Sequence, residues 1–274
     1  YARSYSFGAS GICNNVSSDI TFSSPVTPTI TPQSTTTFCQ GGSVTLSSSA
    51  AASYLWSTGA TTQSIVVSSA GNYSVTTFNA AGCESIVSSE TTVTVNPLPA
   101  IPTISAGTST TFCQGGSVTL TSTPATSYLW STGSTLQSIS VNSSGTYSVI
   151  ITNANGCTSS SAGTIVTVNP LPATPVISAG GPTTFCQGGS VTLTSTSGTT
   201  YLWNTGATTQ AISAIASGSY TVRVTNANGC SATSSSTTVI MNPLPAVSLA
   251  PFSSVCNTNG AFALTGGSPA GGSY

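Results

Sequence analysis

The sequence predicts an all-β protein, a tandem array of small Ig-like β-sandwich modules of about 73 residues each that together form a rod. The first observation is a repeat: the string Cys-Gln-Gly-Gly-Ser-Val-Thr-Leu begins at Cys39, Cys113 and Cys186, which are almost evenly spaced along the chain. The second is the alternation of Val and Ile with Ser and Thr, which has the period of a strand with one buried face. Repetition of this length indicates an array in which each copy is one structural unit.

Each repeat carries the same landmarks after its first cysteine. A Tyr-Leu-Trp string follows at a constant distance, then comes a Gly-x-Tyr-x-Val string, and a second cysteine stands 44 residues after the first. The landmarks are, in chain order, Trp56, Tyr73 and Cys83, then Trp130, Tyr147 and Cys157, then Trp203, Tyr220 and Cys230. A strand-borne tryptophan between two cysteines is typical of Ig-like sandwiches. We therefore expect these tryptophans and tyrosines to be core residues, and a sugar-stacking platform is the alternative use of the rings.

Proline-rich strings separate the repeats. Asn-Pro-Leu-Pro begins at Asn96, Asn169 and Asn242, and proline fixes φ and favours an extended, stiff connection. The predicted segments are the last strands of a preceding partial module plus a linker (1–28), module 1 (29–97), module 2 (98–170), module 3 (171–243) and the start of a divergent module (244–274). Stiff joints between modules predict a rod rather than a flexible string.

Two turn signals recur in every module. Gly-Gly follows each first cysteine, and we expect a tight turn there rather than a phosphate-binding loop, because neither a helix nor Gly-Lys-Ser/Thr follows. Asn-Ala-Asn-Gly at 153–156 and at 226–229 predicts a hairpin between the last two strands, since Asn and Gly both tolerate positive φ. Module 1 has Asn79-Ala-Ala-Gly82 and keeps only the glycine.

The composition argues against most kinds of chemistry. The 274 residues include five charged side chains, no His and no Lys, while Ser and Thr make up about 37%. A serine nucleophile needs a base, and paired-carboxylate hydrolysis needs two facing acids, but the acids are only Asp19, Glu84 and Glu90. We predict no catalytic, cofactor-binding or metal-binding residues, and Arg223 is given no role. A net charge of −1 also offers no surface for nucleic acid, and no run of residues is apolar enough for membrane insertion.

The eight cysteines, in a chain without His, favour disulfides and an oxidising, extracellular environment. The constant spacing of 44 residues predicts one bond inside each module. These bonds are Cys39–Cys83, Cys113–Cys157 and Cys186–Cys230. Closing a loop of this length stabilises a small module by about 4 kcal/mol in the chain-entropy model.

Cys13 and Cys256 have no partner in this scheme, because Cys13 matches the second cysteine of a module and Cys256 matches the first. One interpretation is that strands at the two ends of neighbouring copies pair and build a filament. The simpler interpretation is that both partners lie outside this chain. The near absence of charge also predicts self-association.

The combined strings resemble a known family. Cys-Gln-Gly-Gly-Ser-Val-Thr-Leu, Tyr-Leu-Trp-Ser-Thr-Gly-Ala-Thr-Thr-Gln-Ser-Ile, Asn-Ala-Asn-Gly-Cys and Val-x-Asn-Pro-Leu-Pro are similar to the tandem Ig-like/PKD-like repeats of very long secreted proteins of Bacteroidota. The stretch at 262–272 is similar to a sister repeat of the same proteins. The resemblance implies export by a type IX secretion route, a location on the outer cell surface, and a role in adhesion or gliding.

Three classes of function follow from these observations. The first is a non-catalytic structural protein, either a stalk in an adhesin or a segment of an extracellular filament. The second is an array of modules that bind surface glycans or another surface polymer, and the third is an accessory array of a secreted enzyme. Nearly identical modules favour the first class, because a binding array tends to differentiate one of its copies.

Overall fold

A computed structural model describes residues 24–249, together with 16–17, 20–21 and 267–268, and its side chains are described for residues 24–247. Cys13, Cys256 and Asp19 lie outside the described residues. Every regular element in the described part of the chain is a β-strand, which confirms the all-β fold class. Nothing among these residues forms a helix long and apolar enough to span a membrane.

The strands fall into three similar series, and a short antiparallel pair of strands lies at each end of the described chain. They are β1 (Val16–Ser17), β2 (Ile20–Thr21), β3 (Ile30–Pro32), β4 (Thr37–Cys39), β5 (Val44–Ser48), β6 (Ser53–Trp56), β7 (Ser64–Val67), β8 (Gly71–Tyr73), β9 (Val75–Phe78), β10 (Thr91–Asn96), β11 (Ile104–Ala106), β12 (Thr111–Cys113), β13 (Val118–Ser122), β14 (Ser127–Trp130), β15 (Ser138–Val141), β16 (Gly145–Tyr147), β17 (Val149–Thr152), β18 (Thr158–Ser160), β19 (Thr164–Asn169), β20 (Ile177–Ala179), β21 (Thr184–Cys186), β22 (Val191–Ser195), β23 (Thr200–Trp203), β24 (Ala211–Ala214), β25 (Gly218–Tyr220), β26 (Val222–Thr225), β27 (Ser231–Thr233), β28 (Thr237–Asn242), β29 (Ser248–Leu249) and β30 (Gly267–Ser268).

The same three sheets recur in each series. In module 1, β3, β5 and β7 form one antiparallel sheet, while β10 pairs in parallel with β4 and antiparallel with β8. β9 continues from β8 after one residue and pairs with β6. The orders β11-β13-β15, β12-β19-β16 and β14-β17-β18 repeat this arrangement, as do β20-β22-β24, β21-β28-β25 and β23-β26-β27, except that β18 and β27 add a third strand to the sheet that has two strands in module 1.

The predicted core tryptophans are confirmed. Trp56, Trp130 and Trp203 are each at most 2% exposed. Each indole Nε1 donates to a backbone carbonyl six residues further along, over 2.8 to 2.9 Å. The buried residues around the first and last of these rings are Val44, Leu46, Ile65, Val67, Tyr73, Val75 and Val93 in module 1, and Val191, Leu193, Ala214, Tyr220, Val222, Val224 and Val239 in module 3. The polar edge of each buried indole therefore has a hydrogen-bond partner, as buried tryptophans require.

The predicted core tyrosines are buried in modules 1 and 3 and partly buried in module 2. Tyr73 and Tyr220 are buried, and their hydroxyls donate to the carbonyls of Ser69 at 2.8 Å and Ala216 at 2.9 Å. This bond back to the chain four residues upstream resembles the tyrosine corner of Ig-like folds. Tyr147, the equivalent tyrosine of module 2, is partly buried.

The Gly-Gly string after each first cysteine is a tight turn, as expected. Gly42 N donates to Cys39 O at 2.9 Å, and Gly41 has a φ of +93°. Positive φ at the third residue of a four-residue turn defines a type II turn and favours glycine there. The second glycine is needed for space, because a Cβ on Gly42 would lie 3.1 Å from Cys39 O. The turn therefore ends β4 at the cysteine and reverses the direction of the chain before β5 begins.

Contacts between residues group the described chain into two compact units. Unit 1 comprises residues 24–109, 118–141 and 145–166. Unit 2 comprises residues 110–117, 142–144 and 167–249. Unit 1 contains all of module 1, and unit 2 contains all of module 3.

We predict that Gly115→Ala destabilises the protein by about 1–2 kcal/mol, because its φ of +93° is costly for a residue with a Cβ. The control is Gly181→Ala in the same unit, where a Cβ also meets nothing within 4 Å but no positive φ occurs. That control should be neutral or slightly stabilising. Urea unfolding of the full chain measures both, and equal effects of the two substitutions would contradict the prediction.

Candidate functional site: the joints between modules

Two disulfides cross from one module to the next. Cys39 of module 1 bonds Cys157 of module 2, and Cys113 of module 2 bonds Cys230 of module 3. The sequence separations are 118 and 117 residues, and the Cα–Cα distance is 5.6 Å in both bonds. The first bond lies wholly within unit 1 and the second wholly within unit 2. Each unit therefore contains one covalent joint between modules.

The predicted bonds inside modules are wrong. Cys39–Cys83 and Cys113–Cys157 do not form, because Cys39 and Cys113 bond the next module instead. Cys186–Cys230 does not form either: Cys230 bonds Cys113, and Cys186 is a free, exposed thiol. Cys83 is disulfide-bonded, though not to Cys39.

The strand register explains the error. The distal end of a module is the end at which β10, or its equivalent strand, is followed by the proline linker. The proximal end is the opposite end. Cys39 pairs with Asn96 at the distal end of module 1. From Cys39 the chain runs along β5 to the proximal end of the module, where β6 begins at Ser53. Phe78, the last residue of β9, pairs with Ser53 and so lies at the same proximal end.

The second cysteine therefore follows a hairpin at the proximal end of its module. The five residues of β5 span about 16 Å, whereas a disulfide needs Cα atoms about 4.4–6.8 Å apart. A cysteine at the distal end of one module is instead adjacent to a cysteine at the proximal end of the next. The constant spacing of 44 residues thus reflects the length of the module and does not identify partners.

Asn153 makes a second link across the first joint. Its Oδ1 accepts hydrogen bonds from Asn155 N and Cys157 N, both at 3.0 Å, and holds the hairpin of module 2. Its Nδ2 donates to Pro97 O at 3.0 Å, across the joint in the linker that leaves module 1. Cys157 Sγ lies 3.9 Å from Asn96 O, the same carbonyl that accepts from Gln40 N at 2.8 Å. One amide side chain therefore fixes both the hairpin that carries the second cysteine and the linker it faces.

The second joint repeats this geometry in unit 2. Asn226 Oδ1 accepts from Asn228 N and Cys230 N at 3.0 Å, and its Nδ2 donates to Pro170 O at 3.0 Å. Cys230 Sγ lies 3.9 Å from Asn169 O. The bonded atoms and the distances match those of the first joint.

The first joint has one additional bond. Ser159 Oγ donates to Pro99 O at 2.7 Å, whereas the matching position in module 3 is Ala232, which has no hydroxyl. The features common to both joints are therefore the disulfide, the asparagine and the proline linker.

The turn signal at the joint is used differently from the prediction. In the hairpin at 153–156, Gly156 has a φ of +79° and its N donates to Asn153 O at 3.0 Å. No residue other than glycine has a positive φ in the described chain. Asn155 therefore does not adopt the positive φ for which the pattern predicted an asparagine. Module 1, which lacks the second asparagine, makes the same turn with Gly82 at +80°. The first asparagine and the glycine are therefore the residues that form the turn. Because the sequence pattern was interpreted as a turn alone, it did not indicate the role of Asn153 in the joint.

A shallow cavity of about 280 Å³ lies beside the first joint, within unit 1. Its lining residues are Pro99, Ala100, Ile101, Thr123, Pro124, Ala125, Thr126, Ile151, Thr152 and Asn153. None of them is charged or acts as a base. Among the described residues, no group of three His, Cys, Asp or Glu is close enough together to hold a metal ion.

Comparison with known proteins finds similarity among solved structures. No protein-family model matches the chain, and no curated protein matches it. Among solved structures, the chain is similar to the three N-terminal domains of the Highly Immunogenic Outer Capsid protein (Hoc) of bacteriophage RB49, with 16% identity, a TM-score of 0.30, and coverage of 80% of this chain and 99% of that one. It is also similar to a chain in the complex of the mouse coronavirus receptor-binding domain with its murine receptor, with 13% identity, a TM-score of 0.31, and coverage of 52% and 100%.

We predict that Asn153→Asp accelerates reduction of the Cys39–Cys157 bond by dithiothreitol about 3- to 10-fold. The carboxylate still accepts from Asn155 N and Cys157 N, but it cannot donate to Pro97 O, and one net hydrogen bond is worth about 0.5–1.5 kcal/mol. Timed alkylation with mass spectrometry separates the two bonds, because peptides with Gly-Cys157-Thr and Gly-Cys230-Ser differ in mass.

The matched control is Asn226→Asp, which should accelerate reduction of Cys113–Cys230 and leave Cys39–Cys157 unchanged. If either substitution accelerated both bonds equally, or neither bond, the asparagine would have no specific role in its own joint.

Proposed function

We propose that the chain is a non-catalytic structural segment of an extracellular repeat protein, serving as a stalk or filament segment in surface adhesion, gliding or fibre assembly. The observation that supports this most strongly is the duplicated joint. The same disulfide and the same asparagine–proline bond link two successive pairs of modules. A joint that recurs with the same atoms fixes the geometry of an array, which is what a structural repeat requires.

The disulfides support a location outside the cytosol. Cys157 and Cys230 are each 1% exposed, and each is bonded across a joint. Disulfides of this kind persist in oxidising environments and are rare where thiols are kept reduced. On the basis of the resemblance to secreted repeats of Bacteroidota, the proposal includes a location on the outer cell surface and export by a type IX secretion route.

The chemistry of the described side chains supports a non-catalytic role. Glu84, Glu90 and Arg223 are the charged residues in the part of the chain with described side chains. Glu90 Oε2 accepts from Asn72 Nδ2 at 2.7 Å, in a pairing on the surface of module 1. The sequence has no His or Lys to activate a serine hydroxyl as a nucleophile.

The joints also favour an extended chain in solution. Each joint connects the distal end of one module to the proximal end of the next through a disulfide, a side-chain hydrogen bond and a proline linker. Three independent constraints on one short connection leave little freedom to fold back. Self-association of such neutral rods is part of the proposal, because almost no charge opposes it.

We predict that small-angle X-ray scattering of the full chain gives a radius of gyration of roughly 30 Å or more, because the proposed rod would consist of three modules of about 35–45 Å each. A compact globule of 274 residues would have a radius of gyration of about 19 Å, and that value would contradict the proposal. A concentration series in the same experiment reports self-association as a rise in forward scattering.

A further inference from the structure

The distal end of module 3 has the same structure as the distal ends that form the two joints. Cys186 pairs with Asn242 in the register that Cys39 has with Asn96. Gln187 N donates to Asn242 O at 2.8 Å, as the equivalent amides do at both joints. The same tight turn follows the cysteine, and the same proline string follows the last strand. The half of a joint that the preceding module supplies is therefore already formed at module 3.

Four positions of this end are partly buried at both joints but exposed on module 3. They are the first cysteine, the second glycine of its turn, the asparagine before the linker and the second linker proline. In module 3 these residues are Cys186, Gly189, Asn242 and Pro245. Their equivalents are Cys39, Gly42, Asn96 and Pro99 at the first joint, and Cys113, Gly116, Asn169 and Pro172 at the second. Leu244 of the linker is likewise 60% exposed, against 44% for Leu98 and 45% for Leu171. A surface that is partly covered at two joints is therefore open on module 3.

We infer that the distal end of module 3 is a receiving site for one further module of the same type, attached through the linker that follows Asn242 and bonded to Cys186 by a disulfide. The receiving site comprises Cys186, Gly189, Asn242, Pro243 O and Pro245. A free thiol alone would not identify a partner. Its two equivalents, Cys39 and Cys113, do so, because each is bonded to the module that follows it. The inference rests on the proposed function and deepens it, since it names the partner that continues the array.

The two joints specify what the partner must carry. Its proximal hairpin needs a cysteine for Cys186 and, four residues before it, an asparagine to donate to Pro243 O, the equivalent of Pro97 O and Pro170 O. The partner therefore contains the string Asn-x-x-Gly-Cys. At both joints this cysteine stands 60 residues after the first proline of the linker. A module of this length, joined by the same linker, would bring its cysteine to the receiving site in the same way.

A second copy of this chain does not meet these requirements. The second cysteines of its three modules are Cys83, Cys157 and Cys230, and all three are disulfide-bonded. None of these hairpins therefore offers a free thiol to Cys186 of another copy. A small thiol would lack both the asparagine for Pro243 O and the surface that covers Leu244. A further module on the linker supplies the cysteine, the asparagine and the covering surface together.

The bond forms by thiol–disulfide exchange with a small-molecule disulfide such as oxidised glutathione. The thiolate of one cysteine attacks this disulfide, which gives a mixed disulfide and releases one glutathione thiol. The thiolate of the other cysteine then attacks the protein sulfur of the mixed disulfide and releases the second glutathione thiol. Two protein thiols are oxidised to one disulfide, and one glutathione disulfide is reduced to two thiols. Glutathione takes up the two electrons and the two protons.

An extended chain tests the inference. A second copy of residues 171–243 is inserted directly after Pro243 of the full chain, so that the new junction reads Asn-Pro-Leu-Pro as at both joints. Ser190→Thr in the insert marks its first-cysteine peptide by mass, at an exposed position of the turn. Both chains are folded in a glutathione buffer, and free thiols are blocked with iodoacetamide. Mass spectrometry then reads which first cysteine was blocked, and a glutathione adduct is counted as unpaired.

In the original chain Cys186 is expected to be unpaired. In the extended chain the unpaired fraction of Cys186 should fall at least about 10-fold, because only a thiolate reacts with the reagent and a disulfide does not. The inserted copy of Cys186 should become the unpaired cysteine in its place. An unpaired Cys186 beside a paired inserted copy would show a bond inside the inserted module and overturn the inference. Disulfide-linked dimers of the original chain through Cys186 would also overturn it, in favour of a second copy as the partner.

Two further variants complete the experiment. Replacing the inserted Cys230 by Ser should leave Cys186 unpaired, which shows that the protection comes from that cysteine. A copy of residues 98–170 in the same place, marked by Ser117→Thr, gives a second insert with its own Asn-x-x-Gly-Cys hairpin. If Cys186 stays unpaired with both inserts, the inference is wrong.

Failure of the inference differs from failure of the proposed function. A protected Cys186 in a chain that scatters as a compact globule would support the receiving site and contradict the rod. An unpaired Cys186 in an extended chain would do the reverse.

Discussion

The parallel pairing of β4 with β10 is the constraint on which the joint depends. It sets Cys39 beside Asn96, where the chain leaves for its proline linker, and the equivalent strands set Cys113 beside Asn169 in the same register. A cysteine at that position cannot reach the proximal end of its own module. It faces the hairpin of the next module, and the disulfide then follows from proximity. Cys186 pairs with Asn242 in the same register but remains a free thiol.

Hydrogen bonds, rather than charges, complete the joint. The linker carbonyls of Pro97 and Pro170 lie outside any strand, and each accepts the side-chain amide of an asparagine across the joint. An amide supplies a donor and an acceptor at once, so one asparagine can hold its own hairpin and the neighbouring linker. A chain with 2% charged residues has few ion pairs available for this purpose. Its Ser, Thr and Asn side chains supply the polar contacts instead.

Local patterns in the sequence were sufficient for the fold. The alternation of apolar and hydroxyl residues, the tryptophan strands and the Gly-Gly turn all report on interactions between residues close in the chain or on one face of a strand. Trp56, Trp130 and Trp203 are buried as expected, and the turn after Cys39 needs both glycines. Tyr147 is less buried than its equivalents Tyr73 and Tyr220, and the repeated string gave no sign of this difference.

The joint could not be read in the same way, because spacing does not distinguish the two pairing schemes. Cysteines inside a module are 44 residues apart in every copy, but cysteines across a joint are 118 and 117 apart, which is almost as constant. Choosing between them requires knowing which end of the sandwich each cysteine occupies. That depends on the parallel pairing of β4, near the start of the module, with β10 at its end, which no local pattern predicts. The asparagine before each second cysteine was a usable signal, and it was interpreted only as part of a turn.

Chemical cleavage after tryptophan tests the central claim most directly. It divides the chain into fragments 1–56, 57–130, 131–203 and 204–274, which separate Cys39, Cys113, Cys157 and Cys230 from one another. Free thiols are blocked first, and Cys83→Ser removes the remaining bond of module 1. The account predicts two disulfide-linked pairs by mass, 1–56 with 131–203 and 57–130 with 204–274. Linkage of 57–130 to 131–203 and of 131–203 to 204–274 would show bonds inside modules and contradict it.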